Sequence, residues 1–241
     1  MGRALAVVCA TAALLASAAC SSGEGDGDKA GTKGTEKTAA RSPSSTQEPG
    51  PEPLTEARLA EAVITKADVR DHLVDTLPDE QFPDLSVPTE PAACQAIADL
   101  FLLHTEPAAA ARVARSVSSL THTDANVVRL GLLAHKEADA EKLMGDLRTS
   151  SEKCDGFEQA TDEYSTVAPR EAPAVGDEAV AYALSGKDES GPVEEAYVVV
   201  RSGSTLAVFH AMNAADVKGA QVPPEIIEAQ LAKLEKAADP A

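Results

Sequence analysis

The sequence predicts an α+β fold, a mostly antiparallel sheet packed by helices, in a single domain that follows an unstructured tether. Two cysteine-bearing segments, 91–104 and 137–154, repeat apolar side chains at helical spacing. Several later runs alternate in the manner of half-buried strands, and two of them meet at Ser202-Gly203 in a hairpin pattern. The composition changes near residue 54, from Gly, Ser, Thr, Lys, Glu and Pro to that of a globular protein.

Each element has its own signal. Thr55 to Thr65 reads as a short helix, with Thr55 as cap and Leu59, Ala62 and Val63 on one face. Asp68 to Leu77 reads as the first strand, and Pro78 to Pro88 as a proline-bearing loop. The spacing predicts a continuous helix over Pro91 to His104. Thr89 would cap it, Pro91 sits in its first turn, and Cys94, Ile97, Ala98 and Phe101 form the inner stripe. Ala111–Leu120 and Asn126–Ala134 are strand candidates joined by the polar turn Thr121-His122-Thr123-Asp124. Glu137 to Cys154 is a second helix, with Ala140, Leu143, Met144, Leu147 and Ser151 inward and acids in its first turn, where they suit the helix dipole. Phe157–Val167, Ala179–Leu184, Val193–Arg201 and Thr205–Met212 read as further strands. Pro223-Pro224 opens a final helix lined by Ile227, Leu231, Leu234 and Ala238.

The amino terminus reads as an export signal. Arg3 is followed by an uncharged run, Ala4 to Ala19, rich in Ala, Leu and Val. That run is too short and alanine-rich for a membrane span, which needs about 20 strongly apolar residues. It fits the apolar core of a secretory signal over residues 1–19. Leu14 to Cys20 resembles the bacterial lipobox, in which small residues precede a cysteine that becomes lipidated, with acyl chains such as palmitate. Ser17 stands where Leu is usual, and Ala16-Ser17-Ala18 also reads as an ordinary signal-peptidase site that would release a secreted chain. The expectation is a lipoprotein on the outer face of the cell membrane, anchored through Cys20, since two or more acyl chains hold a protein stably. Residues 20–53 then form the tether. They contain no large aliphatic side chain and cannot bury enough surface to offset their ordering entropy. The domain spans 54–241.

The chain carries 39 acidic against 21 basic side chains, a net −18. Nearly all of the imbalance lies beyond the tether, whose six acids face four bases. This argues against nucleic acid and against direct docking on anionic lipid, since both require basic patches.

With Cys9 removed in the signal and Cys20 lipidated, Cys94 and Cys154 remain. In an oxidising compartment they are expected to form a disulfide closing a loop of about 60 residues, worth roughly 4 kcal/mol in the chain-entropy model. Neither has a Cys or His partner at zinc-ligand spacing. The histidines His72, His104, His122, His135 and His210 lie far apart with no H-x-H or H-E-x-x-H, so no metal and no cofactor are expected. There is no G-x-S-x-G elbow, P-loop or G-x-G-x-x-G. Paired acids such as Glu194-Glu195 carry little information in so acidic a chain, and no catalytic residue is assigned.

One local pattern stands out. Gly176 can make a tight turn and Asp177 can cap it, ahead of the strand Val180-Ala181-Tyr182. In order come the Cys helix, a strand pair, a second helix ending in Cys, "VGDEAVAY" and "VVVRSGSTLAVF". The chain thus resembles the exported sensor-type domains of actinobacterial lipoproteins, which are similar to the extracellular sensor domain of certain mycobacterial serine/threonine kinases. The resemblance covers about Leu54 to Ala238 and implies an α+β sheet with a cleft that binds an unidentified ligand. No kinase domain is present, and one disulfide stands in place of two. The favoured expectation is therefore a non-catalytic binding or sensor-like domain with a concave, partly apolar pocket on the sheet, near Tyr182, Tyr197 and Phe209 if core packing does not claim them. The alternative is an envelope-assembly or protein-interaction lipoprotein with no such pocket. The expected partner is an unknown small molecule or an envelope protein.

The anchor is directly testable. Cys20→Ala should release the mature chain from the membrane fraction and abolish acyl mass on its first peptide. Unchanged membrane retention without acyl mass would contradict the lipid anchor.

Overall fold

A computed structural model describes residues 52–121, 125–159 and 162–238. Cys20, the signal, almost all of the tether and His122 lie outside them, as does the side chain of Ala238. The described chain runs α1 (Glu56–Ala62), β1 (His72–Leu77), α2 (Gln95–Asp99), β2 (Ala111–Ser119), β3 (Asn126–Ala134), α3 (Glu137–Lys153), β4 (Phe157–Gln159), β5 (Asp162–Arg170), β6 (Glu178–Asp188), β7 (Gly191–Ser202), β8 (Thr205–Asn213) and α4 (Pro224–Ala238). The strands form one sheet in the order β1-β2-β3-β8-β7-β6-β5-β4, with every neighbour antiparallel.

Both faces of this sheet are covered. Successive strand residues point to opposite sides, so β7 sends Tyr197 and Val199 to one layer and Val198 and Val200 to the other. The first layer holds α2 and α3, with Ala140, Leu143, Met144 and Leu147 buried as the helical spacing predicts. The second holds α1 and α4, where Leu59 and Ala62 pack with Ile226, Ile227, Leu231 and Leu234. Gln230 joins these two helices inside the apolar layer. Its amide accepts from the Ile64 N–H at 3.0 Å and donates to the Ala62 carbonyl at 2.9 Å. Buried polar groups need such partners, because each one left unmade costs about 1–3 kcal/mol.

Cys94 and Cys154 are bonded, with Cα atoms 4.9 Å apart. The bond fastens the entry to α2 against the end of α3. The Gly176-Asp177 turn is equally defined. Gly176 has φ +63°, and a Cβ there would lie 2.5 Å from the Arg201 carbonyl oxygen. Asp177 donates its N–H to that carbonyl and accepts the Gly203 N–H at 2.7 Å. The motif therefore clamps the β7–β8 hairpin turn onto the start of β6.

Some expectations are corrected. The helix over 91–104 is broken: five residues of α-helix lie between the 3₁₀ turns Ala92–Cys94 and Leu100–Leu102. Thr89 does not cap it. Its hydroxyl donates to the Val87 carbonyl, and its N–H is taken by the Gln95 side chain. Leu103, in the left-handed region at φ +50°, ends the segment before His104. The first strand starts at His72, because Asp71 at φ +62° turns the chain beforehand. Residues 157–167 hold two paired strands, β4 and β5, in place of one.

Candidate ligand-binding cleft

Antiparallel register decides which side chains meet on the α3 face. Residues directly opposite in neighbouring strands share a face. Arg129 of β3 stands opposite His210 of β8, His210 opposite Tyr197 of β7, and Tyr197 opposite Tyr182 of β6. The last three rings form a stack: Tyr182 and Tyr197 lie 5.0 Å apart and Tyr197 and His210 4.3 Å apart, both at 8°. Phe101, from the turn after α2, covers this stack edge-on and also meets Tyr164 at 5.2 Å. Aromatic pairs at these distances add about 0.5–1.5 kcal/mol beyond area burial.

Glu195 lies two residues before Tyr197 and so on the same face. It is only 6% exposed. Its Oε2 is 2.8 Å from His210 Nε2, and its Oε1 accepts the Tyr164 hydroxyl at 3.1 Å. Both oxygens of a buried carboxylate are thereby engaged, as the cost of burying a charge requires. Burial, and then the Glu195 charge, push the Tyr164, Tyr182 and Tyr197 hydroxyls well above the ordinary tyrosine range. All three stay protonated, and Tyr164 donates to Glu195. The Tyr182 and Tyr197 hydroxyls and His210 Nδ1 are buried with no hydrogen-bond partner among the described residues.

The neighbouring row of the sheet is open. Val127 stands opposite Met212, and Met212 opposite Glu195. With Val193 they line a cleft of about 640 Å³ whose other walls include Asp162, Asp188 and Glu194. Among the described residues, no Lys, Arg or His lines it. Its volume lies in the range of small-molecule sites, and its make-up, an apolar surface with a few polar groups, is the usual one.

The expected pocket residues divide. Tyr182 and Tyr197 lie in the core of the α3 layer beside the cleft. Phe209 does not join them: it stands opposite Val198 and packs into the α4 layer. The residues that shape the site, Glu195, His210 and Met212, carried no distinguishing signal in the sequence. Their alternation within β7 and β8 was visible, but the register that brings them together was not.

The remaining histidines are dispersed. His72 Nδ1 lies 2.8 Å from the Arg70 carbonyl and His104 Nδ1 2.9 Å from Asp84. Among the described residues, no three His, Cys, Asp or Glu side chains gather to hold a metal.

No family model matches the chain, and no curated protein does. Solved structures from mycobacteria are among those that resemble it. The extracellular domain of PknH from Mycobacterium tuberculosis is 14% identical, with a TM-score of 0.48, over 78% of this chain and 98% of that one. A putative uncharacterised protein from Mycobacterium smegmatis, the Rv0999 ortholog, is 14% identical with a TM-score of 0.42, over 76% and 94%.

His135 supplies a pH test. It is buried, neither ring nitrogen has a partner among the described residues, and burial lowers its pKa to about 4 against a weaker opposing pull from Asp139. The fold thus holds it neutral, while the unfolded chain takes up a proton near pH 6.5. The contribution is complete above that pH and is lost as pH falls towards 4, by roughly 3 kcal/mol. His135→Gln should flatten the fall in unfolding free energy between pH 7 and 4, measured by urea denaturation. Equal slopes in both proteins would contradict this.

Proposed function

We propose that this chain is a non-catalytic, ligand-binding domain displayed outside the cell on a lipidated Cys20, and that its ligand is a small molecule with a positive group and an apolar body. The observation that carries the reading is the cleft over Val127, Met212 and Glu195, acid-walled and, among the described residues, lined by no basic side chain. A cation entering it meets carboxylates, and an apolar body meets valine and methionine. Support for a binding role over catalysis comes from the engagement of the polar groups. Glu195 is held on both oxygens, and among the described residues neither it nor His210 is hydrogen-bonded to a Ser, Thr or Cys hydroxyl or thiol. Both domain cysteines are consumed in the disulfide. Support for the location comes from the signal-like first 19 residues and the polar tether.

The test is native mass spectrometry of the chain purified from its own host. A small cationic molecule should travel with the wild type and be lost from Glu195→Gln. Met212→Trp, which fills the cleft and leaves the Glu195–His210 contact intact, should also lose it. Co-purification of a protein partner and no small molecule would favour the assembly reading and overturn this one.

A further inference from the structure

We propose a second ligand site, independent of the sheet cleft, in the cavity between α2, α3 and the sheet, and that it takes a neutral, predominantly apolar molecule. The cavity measures about 340 Å³. The α2 side contributes Ala92, Ala93 and Ala96, while Leu143, Met144 and Leu147 of α3 face them. Val199 and Leu206 of the sheet close the floor.

Protein interiors are close-packed, and a space of this size between two helices ordinarily closes by sliding. Here α2 cannot slide. The Cys94–Cys154 bond fixes its entry to the end of α3. Ser150 Oγ donates to the Ala93 carbonyl at 2.6 Å, a second tie between the same two segments. The Gln95 amide holds α2 from the other side, accepting the Thr89 N–H and donating to the Val87 carbonyl and Asp99. The alanines therefore face a gap of fixed width.

The polar groups on the wall select the ligand. Asp99 accepts from Ser86 and Gln95, His104 pairs with Asp84, and Asp146 pairs with Lys142. Thr105 differs. It is only 6% exposed, and its hydroxyl has no partner among the described residues. That hydroxyl is closed off from solvent, so among the described residues the wall offers the ligand an apolar surface and no free hydroxyl. Glu106 and Asp146 also line the cavity and oppose an anionic head group.

The chain has three methionines, and two report on the two sites separately: Met144 lines this cavity and Met212 the sheet cleft. Methyl NMR of the purified chain carrying ¹³C-methionine, titrated with 1-decanol, tests the proposal. The Met144 methyl should shift saturably and the Met212 methyl should stay in place. Decanoate, with the same chain and a negative head, should bind at least about tenfold more weakly. Ala96→Leu fills the gap and should abolish the Met144 response without lowering the melting temperature. Ala93→Leu serves the same purpose if Ala96→Leu is unstable. Equal shifts at both methyls, equal binding of decanoate, or a response that survives both leucine variants would overturn the proposal. Loss of the cationic ligand from the sheet cleft would leave Met144 binding unchanged, so the two readings fail separately.

Discussion

The architecture depends on the register of three adjacent strands, β6, β7 and β8. Because strand side chains alternate with period two, a slip of one residue would send an entire set to the opposite face. The observed register puts Tyr182, Tyr197 and His210 in one stacked row beneath Phe101. It puts Glu195 and Met212 in the next row, at the open end of the same face. The Gly176-Asp177 turn pins the hairpin that sets this register, since Asp177 is bonded to both Arg201 and Gly203. Packing, aromatic stacking and the cleft all follow from it.

Local elements were legible where a pattern is decided locally. The α3 stripe, the β7–β8 hairpin and the Thr55 cap rest on spacing and turn chemistry alone, and all three are present. The Cys94–Cys154 pairing followed from cysteine arithmetic and is formed. The segment around α2 departs from a continuous helix because its apolar stripe is helical, whereas its backbone is governed by distant partners, notably the Gln95 side chain. Sequence alone groups Phe209 with Tyr197, since both are aromatic residues on neighbouring strands, and only the register separates them by a face. Glu195 was hidden by composition. Among so many acids, nothing local marks the one whose oxygens reach His210 and Tyr164 across strands.

A buried carboxylate is an expensive way to hold a sheet together. Desolvating a charge costs several kcal/mol, and replacing a buried ionic or polar pair by apolar residues of similar size is often neutral or stabilising. The α3 layer is otherwise built of aliphatic and aromatic side chains that need no such group. Glu195 is buried yet forms one wall of an open cleft, and the proposed ligand would give it a use that packing does not. Its neighbours His210 and Tyr164 then serve to fix its orientation.

The most direct measurement compares urea-unfolding free energies of the wild type, Glu195→Met, His210→Leu and the double variant. If the pair is kept for binding, each single change leaves a buried group unpartnered and costs about 1–3 kcal/mol. The double variant should recover most of that loss and return to within about 1 kcal/mol of the wild type. A double variant that stays as destabilised as the worse single variant would show that the Glu195–His210 contact contributes net stability, and would contradict the account.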